Sequence, residues 1–394
     1  MFEDILQADF ARDRPTLLCL SHLRWDFVFQ RPQQLMTRLA ANNNVLFWEE
    51  PIFASPDAAA TVERRTGAPG LTVLTPRLPE GLTKEQQDEA LEMLLRAETQ
   101  GTNKPLIRWF YTPMMLSFAR GIEAECTVYD CMDELSGFDF APAELKSLES
   151  ELLAAADLVF TGGHSLYEAK SVLHPRVHAF PSSVDTSHFR TAREVMSEPS
   201  DQPCASGPRL GFVGVIDERF DRDLLKAAAA ARPDWTFVMV GPVVKIDPDS
   251  LPVADNIHYL GGKQYAELPA YLAGWDVALM PFAINAATKF ISPTKTPEYL
   301  AAGKPVVSTP IVDVVRQYGE LEAVAIASTA REFIEACERM IALDRAPGAA
   351  WHFEVEMALS QMSWDNVVRE MSELIHGVLR AKGLKDLYFD YLIV

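Results

Sequence analysis

The chain has 394 residues, and at roughly 150 residues per domain that length predicts two domains and excludes a single compact core. Hydrophobic residues make up 48% and charged residues 23%, with 20 glycines and 26 prolines, which excludes a fibrous or disordered chain. Acidic residues outnumber basic ones 55 to 36, and the net charge of −19 repels nucleic acid and anionic membrane, with no long basic run to override it.

The N-terminus, MFEDILQADFARDRP, carries acids where a signal peptide needs a basic stretch and then an apolar one. No apolar run approaches the roughly 18 residues of a membrane span. Cys19, Cys126, Cys131, Cys204 and Cys337 are scattered and odd in number, without zinc-site spacing. A cytoplasmic protein in a reducing compartment is expected, with at most peripheral membrane contact.

In chain order, short apolar runs rich in β-branched and aromatic residues alternate with stretches of helical period, which predicts βα units around parallel sheets. Strands are expected near Thr16–Leu20, Val45–Trp48, Leu106–Phe110, Thr127–Tyr129, Leu158–Thr161 and Val177–Phe180. Further strands follow near Leu210–Val213, Thr236–Val240, Ile257–Leu260, Val277–Met280, Val306–Ser308 and Ala323–Ile326. Strongly twisted sheets rarely exceed about ten strands, so two sheets of about six are expected.

The loop after the first strand, from Ser21 to Gln34, is dense in polar and aromatic groups. Ligands of open α/β sheets bind outside the carboxyl ends of the strands, which makes His22 a candidate base. Tyr129-Asp-Cys-Met-Asp-Glu134 also ends a strand and offers Asp130 and Asp133 to the same crevice. A loop-structuring hydrogen bond is an equal alternative for each of the three, and His164 reads as a helix start. A helix over 143–156 puts Leu145, Leu148, Leu152 and Leu153 on one face. The stretch Ser197–Pro208 has three prolines and no apolar period and reads as the linker between domains 1–196 and 209–362. Residues 363–394 form a final helix and tail able to cross back onto the first domain.

From Val277 to Ile311 the chain holds Lys289, Lys295 and Lys304 against one acid, Glu298. Ser292-Pro-Thr-Lys-Thr-Pro-Glu298 suits a helix start, with Ser292 or Thr294 as cap. Amides at such a terminus bind phosphate oxygens, Lys295 adds a full charge, and Glu298 can accept from ribose hydroxyls one turn on. The alternative is a capped helix with incidental charges. Asp221-Arg-Asp223 and Asp247-Pro-Asp249 have the spacing of a metal-held diphosphate, but the first opens a helix and the second lies in a Pro-rich loop, so no metal is expected.

The run SPTKTPEYLAAGKPVVSTP, from Ser292 to Pro310, resembles the donor-binding segment of GT-B glycosyltransferases of the family 1 and 4 type. The resemblance implies an α/β chain of two Rossmann-like domains with parallel sheets facing across a cleft, the first on the acceptor side and the second binding a nucleotide sugar. Thr294 and Lys295 then meet the diphosphate and Glu298 the ribose. Many retaining members carry another Glu eight positions earlier, where this chain has Phe290, so the anomeric outcome stays open. Gly211–Arg219 is similar to the family's phosphate loop, with Gly214 admitting backbone to a phosphate and Arg219 contacting the diphosphate. Asn256–Tyr265 resembles the loop beside the nucleobase, where main-chain groups near Lys263 and Gln264 would read uracil. Arg24, Asp26 and Arg31 fall on the acceptor side, with His22, Asp130 or Asp133 activating the acceptor.

The tail Phe389-Asp-Tyr-Leu-Ile-Val394 resembles the opening strand of UDP-galactopyranose mutase, so the chain reads either as the N-terminal module of a fusion with such an enzyme or as ending in a plain extension. The expected activity is transfer of a hexosyl group, galactofuranosyl being one candidate, from a UDP-sugar to a glycan or lipid-linked acceptor in cell-surface polysaccharide synthesis, with no further cofactor. A non-catalytic sugar-nucleotide-binding module and a GT-B-fold UDP-sugar epimerase are the alternatives.

Overall fold

The computed structural model describes residues 14–139, 141–194, 196–346 and 348–384, so the tail resemblance at 389–394 lies outside the described residues. The first sheet holds β1 (Thr16–Leu20), β2 (Asn44–Trp48), β3 (Ile52–Ala54), β4 (Thr61–Ala68), β5 (Leu71–Pro79), β6 (Leu106–Phe110), β7 (Cys126–Cys131), β8 (Leu158–Thr161) and β9 (Val177–Ala179). Its order is β3-β5-β2-β1-β6-β7-β8-β9, all parallel, with β4 antiparallel on β5. The second holds β10 (Arg209–Val213), β11 (Thr236–Val240), β12 (Ile257–Gly261), β13 (Val277–Met280), β14 (Val306–Ser308) and β15 (Val324–Ile326). It runs β12-β11-β10-β13-β14-β15, parallel throughout.

Every expected strand is present, because strands covered by helices on both faces must be apolar along their whole length. β1, β6 and β7 are buried at each position. β3, β4 and β5 were not anticipated. β4 reads TVERRTGA and is largely exposed, so it shows charge instead of alternation, and the prolines of β5 argue against a strand that pairs on both sides.

The chain passes from the first core to the second between Phe180 and Val184 and returns between Leu359 and Trp364. Val184, Phe189 and Ala192 already belong to the second core. The stretch expected as linker, 197–208, instead lies fastened to the second lobe. The Trp275 Nε1–H donates to Gln202 at 3.1 Å and the Tyr271 hydroxyl to Asp201 at 2.7 Å. The final helix, Trp364–Ala381, does cross back: Ser363 caps it, and Trp364, Met371, Ile375, Val378 and Leu379 are buried with Leu35 and Met36 in the first core. Among the described residues no helix is long and apolar enough to cross a membrane.

Candidate functional site

The carboxyl ends of the two sheets face one another, and a few anchors set the loops between them. β10 ends at Val213, whose N–H donates to the buried Tyr299 hydroxyl at 2.7 Å. That ties the loop after β10 to the helix Lys295–Ala301. The Ile216 N–H donates to the Pro242 carbonyl at 2.9 Å and the Val244 N–H to the Ile216 carbonyl at 3.0 Å, so the loops after β10 and β11 are tied together. A Cβ at Gly241 would meet the Gly214 carbonyl oxygen at 1.7 Å, so only glycine fits there. Gly214 itself donates its N–H to Val240 at 2.9 Å. The Gly214 N–H is thus engaged in the sheet, and the glycine pair allows close approach of the two strand ends.

These paired loops carry two cations to the first lobe. Arg219 holds Asp217 in a fork, Nε to Oδ1 at 2.9 Å and Nη2 to Oδ2 at 2.7 Å, and its guanidinium carbon lies 5.3 Å from the Phe138 ring centroid. The Lys245 ammonium lies 5.2 Å from the same ring. Neither Lys245 nor Phe138 stood out in the sequence.

From the first lobe, Asp133 faces Arg219; burial raises its pKa, Arg219 opposes the rise, and Asp217 adds to it. His22 has a buried Nδ1 without a partner among the described residues. Burial, helped by Lys245, lowers its pKa from 6.5 to about 4, so its ring is neutral at pH 7. Glu50, also overlooked, has its pKa raised by burial while Arg24 and Lys245 pull it down.

Four expected site residues are engaged in contacts within the first lobe. Asp130 is fully buried and takes a fork from Arg31, Nη2 to Oδ1 at 2.9 Å and Nε to Oδ2 at 3.1 Å, while Arg31 Nη1 bonds the Phe180 carbonyl at 2.8 Å. Neither can reach an acceptor: a strand-end carboxylate looked like a site group because its buried partner lies 99 residues away in sequence. Asp26 pairs with Arg65 at 2.9 Å, and Arg24 with the buried Glu49 at 3.3 Å. Glu49 also accepts from the Trp25 N–H and the Thr75 hydroxyl, both at 2.7 Å, so Arg24 and Asp26 help to fasten the first loop to the sheet rim.

On the helix Lys295–Ala301, Thr294 sits at the N-cap position but makes no side-chain cap, contrary to expectation. Lys295 donates to Glu298 at 2.6 Å. Glu298 is 6% exposed, and burial raises its pKa against the pull of Lys295. The pair lies at the junction of the lobes: the preceding Ser292 carbonyl accepts from the Ser182 hydroxyl at 2.7 Å. Lys263 bonds Asp201, and the Gln264 N–H donates to Glu267 at 2.8 Å, so these two groups are occupied within the second lobe. The next residue, Tyr265, stacks on His188 with centroids 4.3 Å apart, meets Phe29 at 4.5 Å, and accepts from Gln34 at 3.2 Å.

The loop between β13 and that helix also spans the junction, since Phe290 packs on the first lobe's core and a Cβ at Gly137 would meet the Ala286 carbonyl at 2.8 Å. Asp221 and Asp247 are local caps, accepting from Leu224 at 2.9 Å and Asp249 at 3.0 Å. Among the described residues no group of three or more His, Cys, Asp or Glu is arranged to hold a metal ion.

Residues 207–342 match the family described as Glycosyl transferases group 1. TuaH of Bacillus subtilis (strain 168), provisionally named a teichuronic acid biosynthesis glycosyltransferase, is 29% identical over 231 residues, which cover 54% of this chain and 58% of that protein. The chain thus spans less than two thirds of that curated relative's length. A sucrose-phosphate synthase from Thermosynechococcus elongatus superposes with a TM-score of 0.66 at 17% identity, over 93% of this chain and 100% of that one. The E. coli trehalose-6-phosphate structure bound with UDP-2-fluoro glucose gives 0.65 at 13% identity, over 91% and 98%. The fold is GT-B, two lobes built on parallel sheets.

Proposed function

We propose, starting from the glycosyl transferases group 1 domain formed by residues 207–342, that this chain is a glycosyltransferase. It moves a hexosyl group from a UDP-sugar to a saccharide or lipid-linked glycan acceptor in the synthesis of a cell-surface polysaccharide, acting at the cytoplasmic face of the membrane. The observation that carries this reading is the second lobe's Arg219 lying 5.3 Å from the first lobe's Phe138 ring, close enough to Asp133 for its charge to oppose that group's raised pKa. The name of TuaH supports the polysaccharide context, and the E. coli structure supports a UDP-sugar in this fold.

In the reaction the acceptor hydroxyl oxygen bonds to the anomeric carbon while the bond from that carbon to the diphosphate oxygen breaks. The electron pair leaves on the diphosphate, where Arg219 stabilises the growing charge. Asp133 takes the hydroxyl proton. Burial lifts its pKa toward the working range, which makes it a better base than an ordinary aspartate. His22, its pKa lowered to about 4, has a neutral ring at pH 7 that can accept a hydrogen bond and orient the acceptor. Glu298 and Lys295 hold the ribose and adjoining phosphate, which requires their 2.6 Å contact to loosen when donor arrives.

The test is UDP release from a panel of UDP-hexoses, UDP-galactofuranose included, with and without saccharide acceptors. Acceptor-dependent release together with a new glycoside is expected. Conversion of the donor without acceptor would identify an epimerase, and affinity without product a binding module; either overturns the transferase reading. Unchanged turnover of Lys295→Ala would remove this helix from the site.

A further inference from the structure

We infer that Lys245 is a further cation of the diphosphate site, acting beside Arg219 from the loop after β11; the inference rests on the sugar-nucleotide reading above. Lys245 has φ +62°, and among the described residues it is the only non-glycine residue with positive φ. A long side chain in the left-handed region is strained, and such strain persists where the surroundings enforce it, most often at functional sites. Here the enforcement is visible: the bonds between Ile216, Pro242 and Val244 fix the stem of the loop to the one that carries Arg219.

The side chain is exposed, and among the described residues its ammonium has no carboxylate partner. It lies close enough to His22, Glu50 and Asp133 to shift all three, which places it over the same crevice as the proposed base. Arg219 and Lys245 share one aromatic neighbour, Phe138, at 5.3 and 5.2 Å. Two cations from two tied loops thus converge on one ring at the mouth of the crevice. A ring face attracts cations more weakly than a phosphate oxygen that accepts charge-assisted hydrogen bonds, so an arriving diphosphate displaces the ring from both. The ligand class is a nucleoside diphosphate or its sugar ester, gripped through the phosphates and not through the base.

Calorimetric affinities for UDP and uridine in the wild-type protein and in Lys245→Gly, Lys245→Gln and Lys245→Arg test this. Glycine suits the positive φ, so Lys245→Gly keeps the loop and the melting temperature. UDP affinity is expected to fall about 10-fold in the Gly and Gln variants, with uridine affinity within about twofold of wild type and Lys245→Arg within about threefold for UDP. UDP affinity retained in Lys245→Gly, or equal losses for UDP and uridine, overturns the assignment of Lys245 alone. A wild-type protein that binds no UDP sinks the sugar-nucleotide reading itself.

Discussion

Arg219 forks onto Asp217, and among the described residues Asp133, across the junction, has no bonded cation; that division of labour sets the expected behaviour of both carboxylates. Asp217 keeps the guanidinium oriented, whereas Asp133 competes with any anion that approaches it. General-base groups contribute typically about 10² to 10⁴ in rate. Asp133→Asn should therefore lower kcat by about 10²-fold or more while KM for the UDP-sugar stays level or falls, since Arg219 loses a competing negative charge. Steady-state kinetics with varied donor separate the two effects. A base must be ionised, so the rate falls as pH drops through the Asp133 pKa. Burial places that limb above the ordinary aspartate value, and it should vanish in the asparagine variant. His22 gives a prediction about stability instead. Its folded pKa of about 4 lies below the ordinary 6.5, so between those values the unfolded chain binds more protons. Stability accordingly rises with pH across that window: the contribution is complete above 6.5 and is lost as pH falls through 4. The shift corresponds to roughly 3 kcal/mol, and thermal melts of His22→Gln from pH 7 to 4 should show a shallower decline than wild type.

Elements differ in how openly the sequence announces them. The central strands were legible because burial on both faces leaves a continuous apolar run, and the helix Leu145–Ala155 because its leucines keep helical period. β4 was hidden because pairing with β5, not its own burial, holds it in place. Of the candidate site, the contact between Lys295 and Glu298 was legible from spacing and local charge contrast, and the strand-end position of Asp133 from its place after β7. Lys245 could not, since nothing in Pro-Val-Val-Lys signals a left-handed turn, and the Arg31–Asp130 pairing needed the fold to be known. The contact between Gly163 and Asp313 was equally hidden. Asp313, on the helix Val312–Tyr318 of the second lobe, accepts from the Ser165 N–H at 3.1 Å and so caps the first lobe's helix His164–Lys170, where Gly163 provides no side chain. Arg316 reinforces it by pairing with Glu168 at 2.9 Å. A Cβ at Gly163 would fall 2.1 Å from Asp313 Oδ2 and 2.7 Å from Ser292 Cβ, so alanine there must push the lobes apart on that side. Gly163→Ala should increase the radius of gyration in solution scattering with unchanged circular dichroism. Asp313→Ala should cost about 1 kcal/mol as a lost cap, and because it removes the nearer obstacle, the double variant should be less perturbed than the sum of the singles.

At the scale of the whole molecule, the chain's last described helix holds together a lobe that began more than 300 residues earlier. Trp364, Met371, Ile375, Val378 and Leu379 are each at most 4% exposed, and they are buried against Leu35, Met36 and the strands of the first sheet. The polar edge is fixed as well, by Arg38 to Asp365 at 2.7 Å and Lys382 to Asp157 at 2.7 Å. Burying a large apolar side chain contributes about 1.5 to 3 kcal/mol, an upper estimate against an extended chain, so these five together are worth about as much as the net stability of a typical domain, 5 to 15 kcal/mol. The helix is thus a structural part of the first lobe even though it follows the second in sequence. Removing residues 364–394 should leave the second lobe's core intact, because Trp351, Val355 and Leu359 precede the cut and stay packed there. The first lobe should lose its fold: limited proteolysis should degrade the region before Phe180 while sparing a fragment that begins near Val184. Trp364→Ala offers a milder version, with an expected loss of about 3 to 5 kcal/mol. Equal protease resistance of both lobes after the truncation would show that the first sheet holds without this helix. The crossing at 181–183 would then be the one covalent link between two lobes that fold independently.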